Sequence, residues 1–250
     1  MAITAVALEG LPEIQPGDDP AALIAAAMPK GSPTAGDVVV VAHKLISKAE
    51  GRTRVLASVQ PGPRAVVLAA ELGKDPRHVQ VVLDETREVR RAAHGVLISV
   101  THHGFVCANA GVDASNAPGE GIVVLLPSDP DGSARRLRTG LQRRLGVSPA
   151  VIITDSFGRA WRRGQCDVAI GCAGLTALDD WRGQTDARGH ELKATVIAIA
   201  DELAAAADLA RSKDGMQPAV LVSGAGRHVT EEDGPGVQPL LRSEAEDLFR

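Results

Sequence analysis

The apolar runs of this chain constrain its fold most, because they are β-branched and too short for helices. They are Val38-Val39-Val40-Val41, Ile122-Val123-Val124-Leu125-Leu126, Val151-Ile152-Ile153-Thr154 and Ala219-Val220-Leu221-Val222. Such runs, closed by charged or turn residues, read as buried strands. Between them lie stretches with apolar positions three and four apart, so helices are interspersed with the strands. No G-x-G-x-x-G opens a helix after the first strand, which argues against a Rossmann fold. The pattern predicts an α+β fold with mixed sheets and interspersed helices.

Residues 4–8 read as a further strand that Gly10 and Pro12 end, and Asp18-Asp19-Pro20 reads as the start of a helix that should stop near Pro29. The stretch from His43 to Arg52 reads as a polar turn. Residues 62–73 and 76–92 read as surface helices, and 95–100 with 105–108 as a hairpin around His102-His103-Gly104. Residues 128–133 supply a turn before an Arg-rich helix ending near Gly146. The strand at 151–154 should stop at Asp155. Gly-rich residues 167–175 suggest a strand that something approaches closely, and 192–209 is the longest helix candidate. Gly, Pro and acidic residues from 223 to 241 predict a mobile loop, and a short acidic helix is expected over 243–249. No internal repeat or linker marks a boundary, so residues 1–250 are read as one unit, with room for two intertwined subdomains.

Aromatic residues make up only 2% of the chain against 44% hydrophobic residues overall, so Ala, Val, Leu and Ile must fill the interior. A net charge of −4 offers no basic field for nucleic acid. No apolar run reaches the roughly 18 residues of a membrane span, and the first residues lack a signal-like pattern. Three cysteines form no disulfide framework, so a cytoplasmic protein with no membrane or nucleic-acid partner is expected.

Two acids stand at the ends of apolar runs beside small polar residues: Asp113, followed by Ala114-Ser115-Asn116, and Asp155, followed by Ser156-Phe157-Gly158. Carboxylates so placed can hold Mg²⁺ or Mn²⁺ while nucleotide phosphates complete the shell, and Ser156 can add an oxygen. They can equally cap their own turns. Lys48, with His43 and Lys44 nearby, can meet phosphate or stay a solvated charge; no Walker-type loop is present. Arg159, Arg162 and Arg163 can clamp an anion or decorate a turn. His102 and His103 read as structural, and Cys107 and Cys166 as buried packing residues.

Taken in order, five stretches resemble the coenzyme F420-0:L-glutamate ligase family. They are Gly10-Leu11-Pro12-Glu13-Ile14, Ser47-Lys48-Ala49-Glu50-Gly51-Arg52, His103-Gly104-Phe105-Val106-Cys107-Ala108-Asn109-Ala110-Gly111-Val112-Asp113-Ala114-Ser115-Asn116, Asp129-Pro130-Asp131-Gly132-Ser133-Ala134 and Ile153-Thr154-Asp155-Ser156-Phe157-Gly158-Arg159. The resemblance implies a GTP-dependent, homodimeric enzyme that uses Mn²⁺ or Mg²⁺ with K⁺. It would join coenzyme F420-0 to L-glutamate through an acyl phosphate and then add γ-linked glutamates. It implies catalytic roles for Asp113, Asp155 and Lys48, with Asp113 and Asp155 holding one metal and Ser156 helping to hold a second. Nucleotide contacts are implied for Leu11, Pro12, Glu13, Ile14, His43, Lys44, Lys48 and Asn116, and for Ser212, Lys213, Asp214, Gly215 and Gln217. Over that last segment the chain departs from the family pattern, with Ala210-Arg211-Ser212 where relatives carry a Met-Gly pair. The departure keeps open a related ligase for another acid and amine; a nucleotide-binding subunit without catalysis is a further alternative. The flavin-binding domain that some relatives add is not expected.

Overall fold

The computed structural model describes residues 2–212 and 214–247. Its centre is a five-stranded sheet in the order β1 (Thr4–Ala7), β12 (Ala219–Ser223), β2 (Val38–Ala42), β8 (Ala150–Arg159) and β9 (Arg162–Ala173). Only β2 and β8 run parallel. The four valines of β2 and the aliphatic start of β8 are buried, as expected of strands covered on both faces. A parallel pair needs a long crossover, and here the crossover contains a second structural unit.

That unit is built from α3 (Pro63–Leu72), α4 (Pro76–Asp84), the sheet β4 (Thr86–Ala93), β5 (Val96–Thr101), β6 (Val106–Ala108), and the pair β3 (Thr53–Val55) and β7 (Ile122–Val124). It has its own core, in which Ala65, Val79, Val82, Leu97, Val123 and Leu125 meet. The main core covers the central sheet with α1 (Pro20–Ala27), α5 (Pro130–Leu145) and α6 (Ile199–Asp208). Asp19 caps α1 by accepting from Ala22 N, and Asp129 caps α5 through Gly132 N. Gly171 on β9 lies so close to α5 that a Cβ there would come within 2.5 Å of the Pro130 backbone. This is the close approach expected of the Gly-rich strand.

Several elements differ from the sequence expectation. Residues 43–49 form a helix, α2 (His43–Ala49), instead of a polar turn. It has no side-chain cap and only seven residues, so burial of His43, Leu45, Ile46, Ser47, Lys48 and Ala49 stabilises it, not intrinsic propensity. The helix expected over 76–92 ends at Asp84, and the rest is β4, whose two register shifts blur its alternation. β8 does not stop at Asp155; it continues to Arg159 and turns into β9 as an antiparallel arm. The helix expected over 192–209 begins only at Ile199, because Val196 and Ile197 form β11 (Val196–Ile197), paired with β10 (Asp179–Asp180). The longest helix is α5, of 16 residues, and it already includes Pro130 to Ser133 of the expected turn. Of the run at 122–126, only Ile122–Val124 is strand. The acidic helix expected at the end is a single 3-10 turn (Glu244–Glu246), and Phe249 lies outside the described residues. The 223–241 segment is irregular, with two 3-10 turns (Gly226–His228 and Gln238–Leu240). It is fastened to the body through Arg138 and through Asp131, which accepts from Val237 N.

Among the described residues, no helix is long and apolar enough to cross a membrane. Cys107 and Cys172 are buried and Cys166 is half-buried, and all three are free thiols. Burial first, then the charge of Asp155, pushes the Cys107 thiol up to about 12. Burial first, then Asp131, does the same for Cys172. Both therefore remain protonated at about pH 8, where thiolate is the reactive form. Iodoacetamide should modify at most one thiol in the folded protein and all three after denaturation. Loss of two or more thiols from folded protein would contradict this burial.

Candidate functional site

A cleft of about 510 Å³ opens where the carboxyl ends of β2 and β8 meet the end of α6 and the segment before β12. Ligands commonly enter α/β sheets at such strand ends. α2 starts directly after β2, so His43, Lys44 and Lys48 line one wall. The 12–14 loop adds Pro12, Glu13 and Ile14. Asp113, Ser115 and Asn116 arrive from the second unit, and Thr154, Asp155 and Ser156 from β8. Ser212, Asp214 and Gln217 close the remaining side.

The structure thus gathers most of the site residues picked out from the sequence around one cavity. Leu11 instead packs in the main core at 8% exposure, and Gly215 is not among the lining residues. Lys213 lies outside the described residues. Arg159, Arg162 and Arg163 sit on the exposed β8–β9 arm. His102 and His103 are structural: their Nε2 atoms meet the carbonyls of Asp84 and Pro127 at 3.1 and 2.9 Å.

Opposite charges pair across the cleft. Lys44 Nζ donates to Asp113 Oδ2 at 2.6 Å and to Ser115 O and Oγ. Lys48 Nζ donates to Glu13 Oε1 at 2.6 Å. Burial alone would raise the Asp113 carboxyl, but hydrogen bonds from Lys44 and Ser115 outweigh it and hold Asp113 below the usual carboxylate value. The buried ring of His43 is held through Nδ1, 3.1 Å from Ser47 Oγ. Its Nε2 faces Asp155 Oδ1 at 3.4 Å without a hydrogen bond. Asp113 follows a 3-10 turn (Asn109–Gly111) in which Asn109 and Ala110 take left-handed φ values of 51° and 52°. Lys74 Nζ donates to Asn109 Oδ1 at 3.0 Å and braces that strained turn.

Two functional candidates went unrecognised in the sequence, Asp167 and Arg211. Asp167 on β9 stands directly opposite Ser156 and accepts its Oγ proton at 2.6 Å. It also accepts from Thr154 Oγ1 at 2.8 Å and pairs with Arg211. Once β8 is seen to run beyond Asp155, register alone brings Asp167 to the site.

The lining residues include six carboxylates, on Glu13, Asp113, Asp155, Asp167, Asp208 and Asp214, against three fixed cations, Lys44, Lys48 and Arg211. A polyanion enters such a cleft only with cations that offset this excess. Among the described residues no group of three His, Cys, Asp or Glu side chains closes on one ion. Mg²⁺ and Mn²⁺ do not require one, since one or two carboxylates suffice when phosphates and water fill the shell. The hard oxygens of Asp113, Asp155 and Ser156 fit that donor chemistry.

The family described as F420-0:Gamma-glutamyl ligase matches residues 10–224 of this chain. A protein from Methanothermobacter thermautotrophicus named coenzyme F420:L-glutamate ligase is 44% identical over 253 aligned residues, covering 100% of both chains. A protein of the same name from Methanopyrus kandleri is 44% identical over 95% of this chain and 94% of its own. One from Halobacterium salinarum strain R1 is 46% identical over 98% and 95%.

Proposed function

This chain belongs to the F420-0:gamma-glutamyl ligase family, and on that premise we propose that it is a homodimeric, GTP-dependent ligase joining the carboxylate of coenzyme F420-0 to the amine of L-glutamate. Further glutamates would be added through γ-carboxylates. The observation that carries the reading is the convergence of distant chain segments on one cleft whose acids and bases face each other. Paired carboxylates beside paired lysines suit a site that must hold cations and a triphosphate together.

A carboxylate is a poor acyl donor until its oxygen is converted to a leaving group. In the proposed sequence the F420-0 carboxylate oxygen attacks the γ-phosphorus of GTP, and the bond to the β-phosphate oxygen breaks to release GDP. The glutamate nitrogen then attacks the acyl carbon, the carbon–oxygen bond to phosphate breaks, and inorganic phosphate leaves as the amine loses its proton. Lys44 and Lys48 offset phosphate charge, and the 12–14 loop with Asn116 and the 212–217 segment seats the nucleotide. Asp113 and Asp155 would hold one divalent cation and Ser156 would help hold a second, and K⁺ is the expected monovalent ion. A bound divalent ion supplies charge neutralisation at the transferring phosphoryl group.

Mass spectrometry of a reaction containing GTP, Mn²⁺, F420-0 and L-glutamate tests the reading. The expected product carries one or more additional glutamyl residues, with one GDP formed per amide bond. Amide formation with other acids and amines, but none with this pair, would assign the fold to a different substrate.

A further inference from the structure

We propose that Asp167 and Arg211 are a positioning pair for this site, seating the β8 oxygens and the nucleotide-side segment as one unit; the inference rests on the ligase reading above. Asp167 is 4% and Arg211 8% exposed at the side chain, and both line the cleft. The two Asp167 oxygens are committed. Oδ1 takes the Ser156 hydroxyl at 2.6 Å, and Oδ2 takes the Thr154 hydroxyl at 2.8 Å together with the Arg211 guanidinium.

Two consequences follow from this arrangement. A hydroxyl has one proton, and Ser156 gives it to Asp167. Any bond from Ser156 Oγ to a cation must therefore use a lone pair, the form in which an oxygen binds a metal. Arg211 lies just beyond α6 and heads the segment that carries Ser212, Asp214 and Gln217. Its ion pair with Asp167, and its 3.6 Å approach to Asp208, tie that segment to β9. The guanidinium is also a fixed cation among the six cleft carboxylates. Buried pairs of this kind are poor sources of net stability, because desolvation offsets their attraction. A role in placing other groups accounts better for the pair's position on the cleft wall.

The test is Mn²⁺ uptake with a non-hydrolysable GTP analogue, followed by electron paramagnetic resonance, in wild type, Asp167→Asn, Ser156→Ala and the double variant. Altering an outer partner of a metal ligand commonly weakens metal affinity by roughly 10–100-fold, and Asp167→Asn is expected in that range. If Asp167 acts through Ser156, its substitution should weaken Mn²⁺ much less in the Ser156→Ala background. Arg211→Lys keeps the charge and loses the planar fork, so it should raise the KM for GTP more than it lowers kcat. Circular dichroism identifies any variant that fails to fold, and the Arg211→Lys and Ser156→Ala measurements then decide.

Equal weakening by Asp167→Asn in both backgrounds, or Mn²⁺ affinity unchanged in Asp167→Asn, overturns the pair while leaving the ligase reading intact. For Arg211→Lys, an unchanged KM does the same. Wild type that takes up no Mn²⁺ with the nucleotide overturns the metal assignment and the pair together, whereas failure to form the amide overturns the ligase reading.

Discussion

Asp155→Asn should reduce GTP-dependent ligation by roughly 10²–10³, the usual cost of removing one preorganised electrostatic partner. The substitution keeps shape and keeps the oxygen that accepts from Ser156 N at 2.8 Å. What it removes is a negative charge at the cleft, where the side chain is 17% exposed and His43 faces it. Asp155 follows five buried residues of β8, so its backbone is fixed by the sheet and the fold should persist. Asp113→Asn should act similarly, with an additional effect. Lys44 would lose its charged partner and keep at most neutral oxygen acceptors, on the new amide and on Ser115. Because the folded Asp113 carboxyl lies below its unfolded value, the stability its ion pair contributes is present above the unfolded value. It is lost only as pH falls through the folded value. At neutral pH the Asp113→Asn substitution therefore removes the charge together with its ion pair to Lys44, and the folding control separates lost stability from lost chemistry. Rates measured against GTP and Mn²⁺ concentration, with circular dichroism as the folding control, check both variants. Near-normal turnover in either would remove that carboxylate from the proposed chemistry.

The sequence displayed these two acids because each follows apolar residues and precedes small polar ones, a pattern visible without a structure even though β8 runs on past Asp155 and Asp113 follows a 3-10 turn. The α+β class was legible for the same reason, since the β-branched runs at 38–41, 151–154 and 219–222 became the middle of the central sheet. Three things were hidden, each for a physical cause. The helix carrying His43, Lys44 and Lys48 is only seven residues long and lacks a side-chain cap, so packing stabilises it where propensity does not. The second unit was invisible because a parallel β2–β8 pair can enclose any crossover, and nothing local in residues 53–125 announces that one core ends and another begins. Asp167 and Arg211 were missed because a buried ion pair joins residues far apart in the chain. Asp167 in particular faces Ser156 only through a hairpin whose exposed, charged arm conceals its strand period.

The largest stability effect expected from a single substitution lies away from the cleft, at Arg138→Met. Arg138 projects from α5 with 5% of its side chain exposed, into the place where three chain segments meet. Its Nε donates to Pro149 O at 3.2 Å, just before β8 begins. Nη1 donates to Glu231 O at 3.0 Å and to Asp233 Oδ1 at 2.8 Å, and Nη2 to Thr230 O at 2.7 Å. The guanidinium lies against Gly174, where a Cβ would come within 2.4 Å of it and φ is +72°. Methionine fills the stem's volume but satisfies none of the four acceptors. Three carbonyls and one carboxylate would have to find water or move. Asp233 is 40% exposed and can rehydrate, so the cost arises mainly from the carbonyls, at about 1–3 kcal/mol for each that stays buried. A loss of about 3–5 kcal/mol is expected, a large share of the roughly 5–15 kcal/mol that holds a domain folded. Urea unfolding should show a lower midpoint with an unchanged slope, because the surface exposed on unfolding stays the same. Arg143→Met, on the exposed face of the same helix, should change stability by no more than about 0.5 kcal/mol. If Arg138→Met cost no more than that control, the 230–233 segment would not depend on the guanidinium for its place.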